Sequence, residues 1–125
     1  MNIGDSSEIT RTFNDVDLHD YTRLSGHDTT GNLVPEPMIG ALFSYLLGVK
    51  LPGLGTNYLK QETRFGALPT VGEALTARVE ITRLRPDKHL VDLATTCYRA
   101  DGNLVASGRA LVYVGDLQRD NGHES

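Results

Sequence analysis

Cysteine is nearly absent from this sequence: Cys97 is the one thiol in 125 residues. A lone thiol closes no disulfide within the chain, which excludes a stapled framework. No basic-then-apolar stretch opens the sequence, so cytoplasmic residence is the expectation. Long hydrophobic runs are also missing. The longest, Pro37 to Val49, falls short of the roughly 20 residues that a bilayer crossing needs, so no membrane role is expected. Positive charge is in deficit, with 12 Lys and Arg against 16 Asp and Glu and a net charge of −4. That balance argues against nucleic acid as a partner, although Lys60, Arg64, Arg78, Arg83, Arg85 and Lys88 leave local positive charge for an anionic group. His19, His89 and His123 show no metal-ligand spacing, and no metal is expected. There is no internal repeat, and the polar stretch 116–125 is expected to be a frayed tail on a single domain spanning 1–125.

What is present is punctuated by period and by breaker residues. "ITRTFNDVDLHDYTRLSG" reads as a short strand and then a helix, capped by Asn14 or Asp15 and closed by Gly26, with Val16, Leu18, Tyr21 and Leu24 as its buried stripe. A second helix is read from about Glu36 to Val49, with Pro37 at its start and Gly48 at its exit. Its apolar residues surround the axis almost completely, so it must be enclosed. After "LPGLG" the period changes to two. "ALTARVEIT" sets Leu75, Ala77, Val79 and Ile81 on one face and Thr76, Arg78 and Glu80 on the other. Further strands are read at about Thr56 to Phe65, His89 to Arg99 and Leu104 to Val114, joined by turns at "RPDK" and "ADGN" into an antiparallel meander. Cys97 then falls within a strand as a small buried residue.

An antiparallel sheet and one all-round apolar helix pack best when the sheet curls around the helix, an α+β hot-dog arrangement. Its open edge favours pairing with a second copy, so a homodimer is expected.

Four blocks carry a family resemblance: "FNDVDLHDYTRLSG", "LFSYLLGVKLPGLGTNYLKQETRF", "PTVGEALTARVEIT" and "DGNLVASGRALVYV". Together they resemble the MaoC-like, (R)-specific enoyl-CoA hydratases over about Ile9 to Val114. The resemblance implies a hot-dog fold, a dimer, and hydration or dehydration of acyl thioesters next to the thioester carbonyl. One segment departs. Where that family follows Ser-Gly with an Asp and, soon after, Asn-Pro and a His, this chain has the shorter "HDTTGNLVPE". The family's Asp position falls on His27, and its His has no counterpart. The same stretch is similar to the 3-hydroxyacyl carrier-protein dehydratases, with His27 at the catalytic His, Val34 and Pro35 at the Val-Pro before the helix, and Glu36 where that family has Gly. Their helix-borne acid would fall on Ala41.

Dehydrating a 3-hydroxyacyl thioester needs a base, an acid for the departing hydroxyl, and donors for an enolate-like oxygen. His27 is the acid-base candidate, with Asp28 to orient it or take the second proton role. The second helix offers its N-terminal amides at Glu36 and Met38, while Pro37 has none. Asn57, Tyr58 and Gln61 are candidates for the acyl site, and Lys60 and Arg64 for the phosphates of coenzyme A or the acidic helix of a carrier protein. No cofactor is expected beyond coenzyme A or phosphopantetheine as part of the substrate. Two alternatives stay open. A hot-dog thioesterase would want a carboxylate in the central helix, where only Glu36 could serve, and a non-catalytic acyl-thioester-binding subunit would need none of this chemistry.

Overall fold

The computed structural model describes residues 1–25, 31–53 and 56–115, apart from the side chains of Ser25 and of Thr56 to Tyr58. Strand β1 (Ser6–Thr12) leads into helix α1 (Asp15–Ser25). The cap is Asn14: its Oδ1 accepts from the Asp17 N–H at 2.9 Å, and Asp17 Oδ2 accepts from the Asn14 N–H at 2.9 Å. This reciprocal pair satisfies two amides that the first turn would otherwise leave bare. Of the expected stripe only Leu18 is buried and Tyr21 half-buried, whereas Val16 and Leu24 are 65% and 82% exposed. The 3.6 period placed these four side chains on one arc, but only its middle meets the core.

Helix α2 (Glu36–Tyr45) continues into a π-helical turn, Leu46–Lys50. Pro35 stands at the cap in an extended conformation, and Pro37 occupies the first turn, where a missing N–H costs nothing. Gly48 lies inside the π turn, not at the exit. The exit is closed by Leu51 N–H to Leu46 O at 2.8 Å and by Gly53 N–H to Leu47 O at 3.0 Å, with Gly53 at φ 97.

Strands β2 (Thr56–Phe65), β3 (Ala74–Arg85), β4 (Leu90–Arg99) and β5 (Leu104–Val114) complete a five-stranded antiparallel sheet in the order β1-β3-β4-β5-β2. The "RPDK" turn contains a short 3₁₀ segment, Pro86–Lys88, and the "ADGN" turn sets Gly102 at φ 88 with its N–H on Arg99 O at 2.9 Å. Alternation decides the buried face. Leu75, Ala77, Val79 and Ile81 of β3 and Val91, Leu93, Thr95 and Cys97 of β4 turn towards the core. They meet Met38, Ile39, Leu42, Phe43, Leu46 and Leu47, all buried, and each large side chain removed from water contributes roughly 1.5–3 kcal/mol. The enclosure is nevertheless incomplete: Pro37, Ala41, Ser44, Tyr45 and Val49 form an exposed arc. Hydropathy marked the whole helix as apolar, yet one sheet covers little more than half of its circumference. No helix among the described residues is long and apolar enough to cross a membrane.

Candidate active site

The entrance to α2 is fixed from outside the helix. Asn32 to Val34 are tied to the β2–β3 loop by a Leu33–Thr70 bridge, by Val34 N–H to Pro69 O at 2.8 Å and by Val71 N–H to Asn32 O at 2.7 Å. That loop is itself clamped. Glu73 accepts from the Thr70 N–H at 2.6 Å and from its hydroxyl at 2.9 Å, and Arg99 Nη2 donates to Ala67 O at 3.2 Å and Leu68 O at 3.1 Å. The Thr70 amide, then its hydroxyl and the Arg99 cation hold the Glu73 carboxyl below the usual range. Sequence reasoning passed over this clamp, because Arg99 and Glu73 meet only once β4 and the loop are side by side.

At the mouth itself, the Met38 amide is not free: it donates to Pro35 O at 3.0 Å, and the Ile39 amide reaches the same oxygen at 3.4 Å. Two amides were expected here, and the tightness of the first turn removes one. The Glu36 amide has no partner among the described residues, and the Glu36 side chain is exposed. The Met38 side chain is 91% buried and lines an apolar groove between α2 and β1. His27 and Asp28 lie outside the described residues, as do Gly26 and the stretch 116–125.

Register separates the β2 candidates into two faces. Gln61 pairs with buried Ala110, on the side of the sheet that α2 occupies, while Lys60 pairs with Leu111 and Arg64 with Ser107, on the opposite side. Lys60 Nζ sits 3.3 Å from Glu62, and Arg109 lies 3.5 Å from the same carboxylate. The Lys60 ammonium, and after it Arg109, hold the Glu62 carboxyl low. Asn57 and Tyr58 pair with Tyr113 and Val112 through the backbone; their side chains are outside the description. Cys97 is fully buried, and burial pushes its thiol from the ordinary 9.0 up to about 11, which removes it from consideration as a nucleophile. Among the described residues no three His, Cys, Asp or Glu side chains group as metal ligands.

No family model matches the sequence. Individual proteins do. An (R)-specific enoyl-CoA hydratase of Aeromonas caviae is 43% identical over 80 residues, 64% of this chain and 60% of that enzyme. One from Rhodospirillum rubrum is 31% identical over 125 alignment positions, covering 89% of this chain and 86% of that enzyme. The chain belongs to the (R)-specific enoyl-CoA hydratase family. The family's hot-dog fold is matched as well: the solved (R)-hydratase of A. caviae superposes with a TM-score of 0.86 at 30% identity, covering 91% of this chain and 97% of that one. The R. rubrum alignment runs longer than the share of this hydratase-family chain that it occupies. The relative therefore carries residues with no counterpart here.

Proposed function

We propose that the chain is a hydro-lyase on acyl thioesters, interconverting 2-enoyl and 3-hydroxyacyl groups carried by coenzyme A, as in the names of its relatives, or by a carrier protein. The observation that supports this most is the 31% identity reaching across 86% of the R. rubrum hydratase. In this reading His27 moves the proton at the carbon beside the carbonyl, and Asp28 orients the ring or assists the departing hydroxyl. The Glu36 amide, at the positive end of the α2 dipole, receives the enolate-like oxygen. Gln61 and Met38, with Asn57 and Tyr58, are assigned to the acyl side of the site. Lys60 and Arg64 project across the sheet from α2, so they receive no contact with reacting atoms. The proposed reaction needs no cofactor or metal, since coenzyme A or phosphopantetheine belongs to the substrate.

We place the protein in the cytoplasm as a homodimer. β2 is an edge strand, Leu59 on it is 57% exposed, and Val49 in the adjoining π turn is 53% exposed. Pairing with a second β2 would cover an unsatisfied edge and both apolar side chains.

A second reading, an acyl-thioester-binding subunit without turnover, is favoured by the missing counterpart of the family's His. A thioesterase is favoured by nothing in α2, which carries no carboxylate beyond Glu36. His27→Ala and Glu36→Gln separate the three when assayed with enoyl, 3-hydroxyacyl and saturated acyl thioesters. Loss of His27 should lower hydration by on the order of 10²–10⁴-fold, while Glu36→Gln, which keeps the helix amide, should cost less. Hydrolysis abolished by Glu36→Gln alone would establish a thioesterase. A parent protein that binds thioesters, with a raised Tm and no turnover, would establish the binding subunit.

A further inference from the structure

Arg99 ends β4, where the sheet is rigid. Its amide donates to Asn103 O at 2.9 Å and its carbonyl accepts from the Gly102 amide at 2.9 Å, so the β4–β5 turn fixes the backbone from which the guanidinium projects. The head reaches out of the sheet to the β2–β3 loop. There Nη2 spans Ala67 O and Leu68 O, and Nη1 lies 3.8 Å from Glu73 Oε1. The other Glu73 oxygen takes both the amide and the hydroxyl of Thr70. One cation and one carboxylate thus hold the two ends of the loop, 67–68 and 70, to the same strand.

From this loop to the mouth of α2 the connection has little slack. Pro69 is buried and accepts from the Val34 amide, Val34 is 1% exposed, and Leu33 is bridged to Thr70. Next comes Pro35, whose ring locks φ at −65, and then the Glu36 amide itself. Few soft torsions separate the anchored Val34 from that amide, so a shift of the loop is handed on to it. The body of α2 is held independently, through Ile39 and Phe43, which are fully buried against the sheet. What the loop sets is therefore the entrance of the helix.

We propose that Arg99, with Glu73 and Thr70, positions the reaction: it holds the entrance of α2 where the Glu36 amide meets the enolate-like oxygen, without touching substrate itself. The inference rests on the hydro-lyase reading above and adds three residues that lie outside its reacting groups. A donor lowers the barrier only if it already points to where charge develops, and a misplacement of about 1 Å can cost on the order of 10²-fold. A saturated thioester develops no such charge, so its binding depends far less on where the amide sits.

The test combines steady-state hydration of 2-butenoyl-CoA with calorimetric binding of butyryl-CoA, for the parent, Arg99→Met, Glu73→Gln and Asp92→Asn, each well below its Tm. Arg99→Met keeps the apolar stem and removes the donors. Its kcat should fall by about 10–10²-fold, with KM and butyryl-CoA affinity within about threefold of the parent. Glu73→Gln keeps the shape of the side chain but weakens its hold on Thr70 and Arg99; it should lower kcat in the same manner, and serves if Arg99→Met does not fold. Asp92→Asn breaks the 2.8 Å Arg85–Asp92 pair towards the other end of β4, and should leave kcat at the parent's value. A purely structural clamp would lower Tm and leave kcat unchanged. That result overturns the proposal, as does a loss confined to KM and affinity or one that Asp92→Asn reproduces; each leaves the hydro-lyase reading standing. A parent protein that hydrates nothing overturns both.

Discussion

Thr95 is fully buried on the core face of β4, and its hydroxyl has no hydrogen-bond partner among the described residues. It pairs with Val79 on one side and Gly108 on the other, so apolar surroundings are all that its side chain meets across the ladder. An unsatisfied buried hydroxyl costs about 1–3 kcal/mol, and valine keeps the branched shape without the oxygen. Thr95→Val should therefore stabilise the protein by about 1 kcal/mol or more. For a domain of this size that is roughly 3–6 °C in Tm. The assay is paired thermal and urea unfolding, because a rise in midpoint with an unchanged m-value isolates stability from any change in compactness. Val79→Thr, which plants a second hydroxyl on the same face, is the converse and should lose stability. A Thr95→Val protein that melts lower than the parent would refute the reasoning, since it would mean that the hydroxyl is hydrogen-bonded in the folded state.

Leu42→Asp should leave no cooperatively folded protein by circular dichroism, because a buried unpaired carboxylate costs several kcal/mol in a fold whose whole stability is of order 5–15 kcal/mol. Gly108→Ala should destabilise by about 1–3 kcal/mol in denaturant titrations, since a Cβ there would fall on the Glu62 carbonyl and push β2 away from β5. The Cys97 thiol should react with a disulfide reagent far more slowly in the folded protein than in urea at pH 8. Its proton is held more tightly when folded, so its contribution to stability is complete below the ordinary 9.0 and is lost as pH rises towards about 11. A thiol titrating equally in native and unfolded protein would contradict that burial.

Much of the sheet was legible in the sequence, because its residues alternate cleanly from Leu75 to Ile81 and because "ADGN" supplies an aspartate, a glycine and an asparagine where a tight turn needs them. The extent of β5 and the start of β3 follow from such local chemistry, while β3 runs on to Arg85 past a register shift at Ile81–Arg83 that ends the alternation. Less local facts did not show. Whether Lys60 and Arg64 face α2 or turn away from it depends on the β2–β5 register, which carries a shift between Tyr58 and Lys60 and so cannot be counted along one strand. Val16 and Leu24 share an arc with Leu18, but what covers an arc is decided by other elements. The hydropathy of α2 marked the helix as the core without showing that its Ala41–Tyr45 side would border a groove. As for the candidate site, the approach to α2 through Val34, Pro35 and Pro37 was readable from the prolines, while the Arg99–Glu73 clamp joins residues that only the fold brings together. The Met38 amide was assigned to a substrate because helix starts leave amides bare in general; here Pro35 O takes it.

The order of strands in space also constrains the order of events during synthesis. β2 leaves the ribosome soon after α2, yet its ladder partner is β5, the last of the described strands to be made, with Thr56 opposite Val114. The β3–β4–β5 meander closes over short turns, so it is the unit expected to form early, whereas β2 and β1 must wait for distant partners. Until Leu104 to Val114 has emerged, α2 has only part of its cover and β2 carries two unpaired edges, a state prone to sticking to other chains. A nascent chain stalled before Leu104 is thus a hazard to the cell, and β5 is the strand whose arrival ends it.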